Sequence, residues 1–162
     1  GDGSLRTYID AAAFPVDLDF SPNGELFVCE LHRGRVLAFK GRKLVRIVAS
    51  GLSWPHGLAF RKNGEVYIIE NTGNRIVKLT PNGMVRRFAG IERAVGMVLG
   101  RSGNLYVAQP SAGKVSKITP KGARNAVIEG LAEPRDPAFD AAGNLYVAET
   151  KAGRILRLSV ND

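Results

Sequence analysis

Four residues that differ from one repeat of the chain to the next hold most of its chemical potential: Asp17, His56, Arg135 and Asp136. Two carboxylates and an imidazole can hold a divalent ion such as Ca, Mn or Zn, and a bound ion of that kind polarises a carbonyl or activates water. Asp17, His56 and Asp136 are therefore the candidate metal ligands, and no other cofactor is expected. The same groups have a purely structural use, in which Asp17 and Asp136 accept hydrogen bonds from loop amides and His56 or Arg135 pairs with them. That second use fits the third repeat, where Val95 and Gly96 stand at the matching positions and supply no ligand.

A second set of polar residues recurs instead of varying. Glu30 precedes Arg35, Glu70 precedes Arg75, Gln109 precedes Lys114 and Glu149 precedes Arg154, each by five positions. A residue type kept in every copy serves what every copy needs, so the pattern reads first as a structural ion-pair belt. Gln109 retains hydrogen-bonding capacity without the charge, as such a belt tolerates. The functional alternative is a ring of carboxylates that binds cations at one face. No local nucleophile motif surrounds any serine. The Asn63-Gly64, Asn82-Gly83 and Ser102-Gly103 turns precede no helix that would bind phosphate.

The elements that position these residues follow from the repeat. Gly24, Gly64, Gly103 and Gly143 fall in register at steps of 40, 39 and 40 residues. After each comes a strand of one recipe, Glu25-Leu26-Phe27-Val28, Glu65-Val66-Tyr67-Ile68, Asn104-Leu105-Tyr106-Val107 and Asn144-Leu145-Tyr146-Val147. Short apolar strands separated by Gly, Pro and Asn turns, four to a unit of about forty residues, are the signature of a β-propeller blade. Phe27, Tyr67, Tyr106 and Tyr146, with Phe20, Phe60, Leu99 and Phe139, are expected to form the core between blades. Nothing shows the spacing of a sustained helix.

The pattern P-x-G-hydrophobic, then G-N-hydrophobic-Y-V-A-E, a short loop and R-I, fullest over Trp54 to Phe88, resembles that of NHL-repeat propellers and their lactonase-like and lyase-like relatives. The resemblance implies an all-β propeller of four four-stranded blades, with repeats at about 14–53, 54–92, 93–132 and 133–162 plus 1–13. Within it, the starts of the innermost strands and the loops after the second strands surround one mouth of the central channel. Asp17, His56, Arg135 and Asp136 would converge there. The expected function is a non-catalytic binding or scaffold module acting through that face. The alternatives are a metal-dependent lactonase-like hydrolase or lyase, or an excised or engineered section of a larger propeller with no independent activity.

Closure of the ring is carried by the split repeat. Leu5-Arg6-Thr7-Tyr8-Ile9 resembles fourth strands such as Leu44-Val45-Arg46-Ile47-Val48, while the last repeat supplies only three strands. The N-terminal strand is thus expected to complete the last blade, and a closed monomer is preferred narrowly over a strand-exchanged dimer with eight blades.

The net charge of +8 invites a nucleic-acid partner, but the cations are spread over every repeat, in turns and on outer strands. Such positions are solvated blade edges, so nucleic acid is not the favoured partner. No apolar run is long enough to span a membrane, and no signal-peptide layout opens the chain. The compartment stays open. The single cysteine, Cys29, sits where other copies have Ile69, Ala108 and Ala148, and reads as a small buried hydrophobe.

Overall fold

A computed structural model describes residues 3–10 and 12–160. Each repeat folds into an antiparallel meander. Blade 1 comprises β1 (Pro15–Phe20), β2 (Leu26–Glu30), β3 (Arg35–Lys40) and β4 (Lys43–Ala49), and blade 2 comprises β5 (Pro55–Phe60), β6 (Val66–Glu70), β7 (Arg75–Leu79) and β8 (Val85–Gly90). Blade 3 runs through β9 (Gly96–Leu99), β10 (Leu105–Gln109), β11 (Lys114–Ile118) and β12 (Arg124–Ile128), and blade 4 through β13 (Pro134–Phe139), β14 (Asn144–Glu149) and β15 (Arg154–Ser159). The only helical turn among the described residues is a three-residue 3₁₀ turn at Pro110–Ala112. The turn glycines Gly24, Gly64, Gly103 and Gly143 all adopt φ between 79° and 87°, which explains why this position is glycine in every copy.

The inner strands β1, β5, β9 and β13 stand side by side, each packed on the next. Between successive blades lie three apolar clusters. Phe27, Cys29, Leu58 and Ile68 join blades 1 and 2, Tyr67, Ile69, Leu105 and Val107 join blades 2 and 3, and Tyr106, Val115, Leu145 and Val147 join blades 3 and 4. The expected aromatic layer is realised as edge-on pairs at Phe27–Phe60 (4.8 Å) and Tyr106–Phe139 (5.1 Å). Tyr67 instead packs at 4.7 Å on Phe88 of the outermost strand.

Two expectations about closure require correction. The fourth sheet has three strands, and residues 3–10 carry no strand and do not complete it. Ile9 and Ala12 rest instead on Leu26, Val28, Leu37 and Phe39 of blade 1, and the Tyr8 carbonyl accepts a hydrogen bond from Arg42. Phe20 does not join the core between blades, because no blade covers its side of β1, and it remains 61% exposed. The described residues thus form an arc of four blades whose two outer faces are open. No helix among them is long and apolar enough to cross a membrane.

Candidate functional site

The antiparallel register sets Glu30, Glu70 and Glu149 opposite Pro15, Pro55 and Pro134, at the start of each inner strand. All three carboxylates are shut from solvent, at 0–1% exposure. Each binds in two directions. One oxygen accepts a backbone N–H from the connector entering the blade, from Ala13 at 2.8 Å, Ser53 at 2.7 Å and Ala132 at 2.6 Å. The other accepts from the guanidinium of Arg35 at 2.6 Å, and likewise from Arg75 and Arg154. The Arg154 hydrogen bond, reinforced by the Ala132 amide, holds the Glu149 carboxyl below the usual range. In blade 3 the pairing partner differs from expectation. Gln109 donates to the Glu92 carbonyl at 3.1 Å and accepts from the Ser116 hydroxyl at 2.7 Å, so Ser116, not Lys114, serves its side chain. An amide carries a donor as well as an acceptor and can hold a connector carbonyl where a carboxylate holds an N–H.

The variable residues sit along the inner strands, and Asp17 and His56 each reach one blade onward. Asp17 accepts the Leu58 N–H of blade 2 at 2.7 Å and the Leu18 N–H at 2.9 Å. Burial raises its carboxyl to about 6 against the pull of these amides, and the negative charge of Asp136 adds to the rise. His56 Nδ1 lies 3.0 Å from the Val95 carbonyl of blade 3. That oxygen can only accept, so Nδ1 carries a proton, and in the neutral ring Nε2 presents a lone pair. At blade 3 the row is completed by absence of a side chain. A Cβ on Gly96 would collide with the Asp136 carboxylate, the Asp136 Cα lying 3.0 Å from that position. Arg135, next along the strand, turns away from Asp136 and lines a depression of about 680 Å³ with Glu133 and Lys151 between blades 3 and 4.

Asp17, His56 and Asp136 therefore share one row without converging. Among the described residues no three His, Cys, Asp or Glu side chains come together as a metal-holding group. Each Asp17 oxygen accepts one backbone amide and keeps a second lone pair, and of the His56 ring only Nδ1 is engaged with the backbone.

One group at the mouth was invisible to repeat reasoning. Phe14 stacks on His32 with centroids 4.2 Å apart, and His32 lies 6.2 Å from Trp54, forming a three-ring ladder with Phe14 56% and Trp54 50% exposed. The signal was the substitution of Phe14 and Trp54 where the third and fourth copies have Arg93 and Glu133. All four residues occupy φ of 47–54°, so the backbone of this position is shared and only the side chains differ.

The fold defines the chain as an arc of β-propeller blades. Residues 15–151 match the family model described as SMP-30/Gluconolactonase/LRE-like region, and the chain belongs to that family. Among solved structures it resembles virginiamycin B lyase from Staphylococcus aureus, with TM-score 0.81 at 22% identity over 93% of this chain and 54% of the lyase. It also resembles the gluconolactonase XC5397 from Xanthomonas campestris, with TM-score 0.73 at 20% identity over 83% of this chain and 54% of that protein. The chain spans about half the length of these structures. No curated protein matches it.

Proposed function

We propose that these four blades form part of the ring of a lactonase-like or lyase-like propeller, and that the row of inner-strand groups takes up a small cyclic ester at the channel mouth. The observation that supports this most is Asp17, a carboxyl raised to about 6 on the channel side of a chain in this family. Opening a lactone requires water to add to the ring carbonyl and the ring C–O bond to break, with a base taking the proton from water and passing it to the departing ring oxygen. Asp17 is suited to that step near neutral pH, each of its oxygens keeping a second lone pair beside the amide bond it accepts. His56 Nε2 is the second acceptor. The exposed Phe14 and Trp54 rings on either side of His32 offer aromatic surface for the body of the substrate.

Proton release on adding glucono-δ-lactone tests the proposal. Turnover above the spontaneous rate, rising with pH through about 6 and losing that rise in Asp17→Asn, is expected. Rates in the Asp17→Asn, His56→Ala double variant equal to those of the parent would overturn it. A second reading, binding without turnover, is favoured by the commitment of both Asp17 oxygens to amides. It would show as calorimetric binding of the lactone with no acid released.

A further inference from the structure

The junction between blades 1 and 2 contains a cavity of about 560 Å³ at the end remote from the mouth, where the turns following the inner strands lie. Its size falls within the range of small-molecule sites, roughly 300–1,000 Å³. We propose that this cavity binds a small molecule with a flat apolar body and an anionic head. The inference does not rest on the lactonase-like reading, since none of the inner-row groups reaches it.

The cavity lies where blade 1 carries small side chains and blade 2 carries large ones, blade 3 again having small ones in Val127 and Gly100. Val48 occupies the position held by Phe88 one repeat later, and Ser21 the position held by Arg61. Between blades 2 and 3 the corresponding space is filled. There Phe88 packs on Tyr67 at 4.7 Å, while the Arg61 guanidinium lies 5.8 Å from the Tyr67 ring and reaches to within 2.7 Å of where a Cβ on Gly103 would stand. In blade 1 a methyl pair replaces the ring and a hydroxymethyl replaces the guanidinium.

The lining specifies the ligand. Phe27 and Phe60, edge-on to each other, form a floor with Val48, Val66 and Leu79. This floor takes an apolar ring. Arg46 leans over Phe27 at 5.8 Å and is fixed by a two-pronged bond to Glu25, at 2.6 and 2.7 Å, so that its charge is balanced within the wall. Lys62 at the rim is exposed and has no ion pair among the described residues. The unbalanced charge of the lining is thus positive, and an anionic head is what complements it.

Calorimetry with 1-naphthoate as probe decides the matter. One saturable site per chain is expected, with 1-naphthylmethylammonium at least tenfold weaker. Val48→Phe, which restores the side chain the next repeat already accommodates, should weaken naphthoate at least tenfold while leaving lactone turnover unchanged. Lys62→Gln, on an exposed rim, should weaken naphthoate severalfold and leave the neutral 1-naphthalenemethanol unaffected. Equal binding of the anionic and cationic probes, undiminished binding by folded Val48→Phe, or no saturable binding to the parent would each overturn the proposal. Because the mouth row is untouched by these variants, failure here leaves the lactone assay to stand or fall separately.

Discussion

The carboxylate of Asp17 accepts the Leu58 amide of the following blade at 2.7 Å, and this bond ties β1 to the neighbouring inner strand β5. β5 is the edge strand of its sheet, so the Leu58 N–H takes its partner from outside that sheet. Asp17 therefore joins two blades through a group whose protonation changes near pH 6.

From this we predict a pH-dependent component of stability. The folded carboxyl is raised from 3.8 to about 6, so between those values the folded state binds more protons than the unfolded. Stability contributed by protonated Asp17 is then present below about pH 4 and lost as pH rises through 6, by on the order of 1 to 3 kcal/mol. Urea titrations at half-unit pH intervals should show that loss in the parent and not in Asp17→Asn. Identical profiles would place the titration elsewhere.

A second prediction concerns Glu70. Removing its side chain leaves the Ser53 N–H without its acceptor in a buried site, whereas Arg75, 41% exposed at its side chain, can turn to solvent. Glu70→Ala should cost about 2 kcal/mol, mostly from the orphaned amide. Glu70→Gln should cost less, because its amide oxygen can still accept the Ser53 N–H. If Glu70→Ala unfolds at the same urea concentration as the parent, the carboxylate is not holding the connector.

How far the sequence could be read divides along the repeat. The four copies of the Gly turn and aromatic strand were enough to place every blade, since each strand pattern is local. The position of Glu70 against Arg75 was legible for the same reason, with five residues spanning a two-strand register. Contacts that pass between blades were not. Asp17 meets Leu58 because the edge strand β5 packs beside β1, and Asp136 fits only because Gly96 lacks a side chain. Gln109 was matched to Lys114 by position, whereas the structure gives its side chain to Ser116, which lies on the same face of the sheet. The resemblance of the N-terminal segment to a fourth strand points to the last blade, whereas Ile9 and Ala12 rest on blade 1. Strand-like composition fixes what a segment can pair with, not which edge is within reach.

Cys29 supplies a third prediction. It is wholly buried between blades 1 and 2, and burial followed by the nearby Asp17 charge pushes its thiol far up. Thiolate is the reactive form, so the native protein should resist a disulfide exchange reagent at pH 8 for hours. It should react within minutes in denaturing urea. Rapid reaction of the native protein would show that the junction opens readily.

The last prediction follows from the two open faces of the arc. Leu18 is 58% exposed whereas Leu58, one repeat on, is 4% exposed, and Ile155 is 66% exposed whereas its counterparts Ile76 and Val115 are at 0%. These residues have the chemistry of buried positions and lack only the neighbouring blade. The two faces are also complementary by construction, since blade 4 presents to blade 1 what blade 3 presents to blade 4. The stretch Leu5-Arg6-Thr7-Tyr8-Ile9 precedes β1 by the same five residues that separate β8 from β9, and Leu5 is 99% exposed. It has the spacing to serve as the fourth strand on β15 of a second copy. We therefore predict that this chain associates as concentration rises, from 17.4 kDa towards twice that mass in light scattering. Added salt should strengthen the association, because it screens the repulsion between chains of net charge +8 while leaving apolar burial intact. Phe20→Lys with Ile155→Lys should hold the protein at the monomer mass without unfolding it, both side chains being exposed in the isolated arc. A parent chain that stays at 17.4 kDa at every concentration and salt would show that these faces do not meet each other.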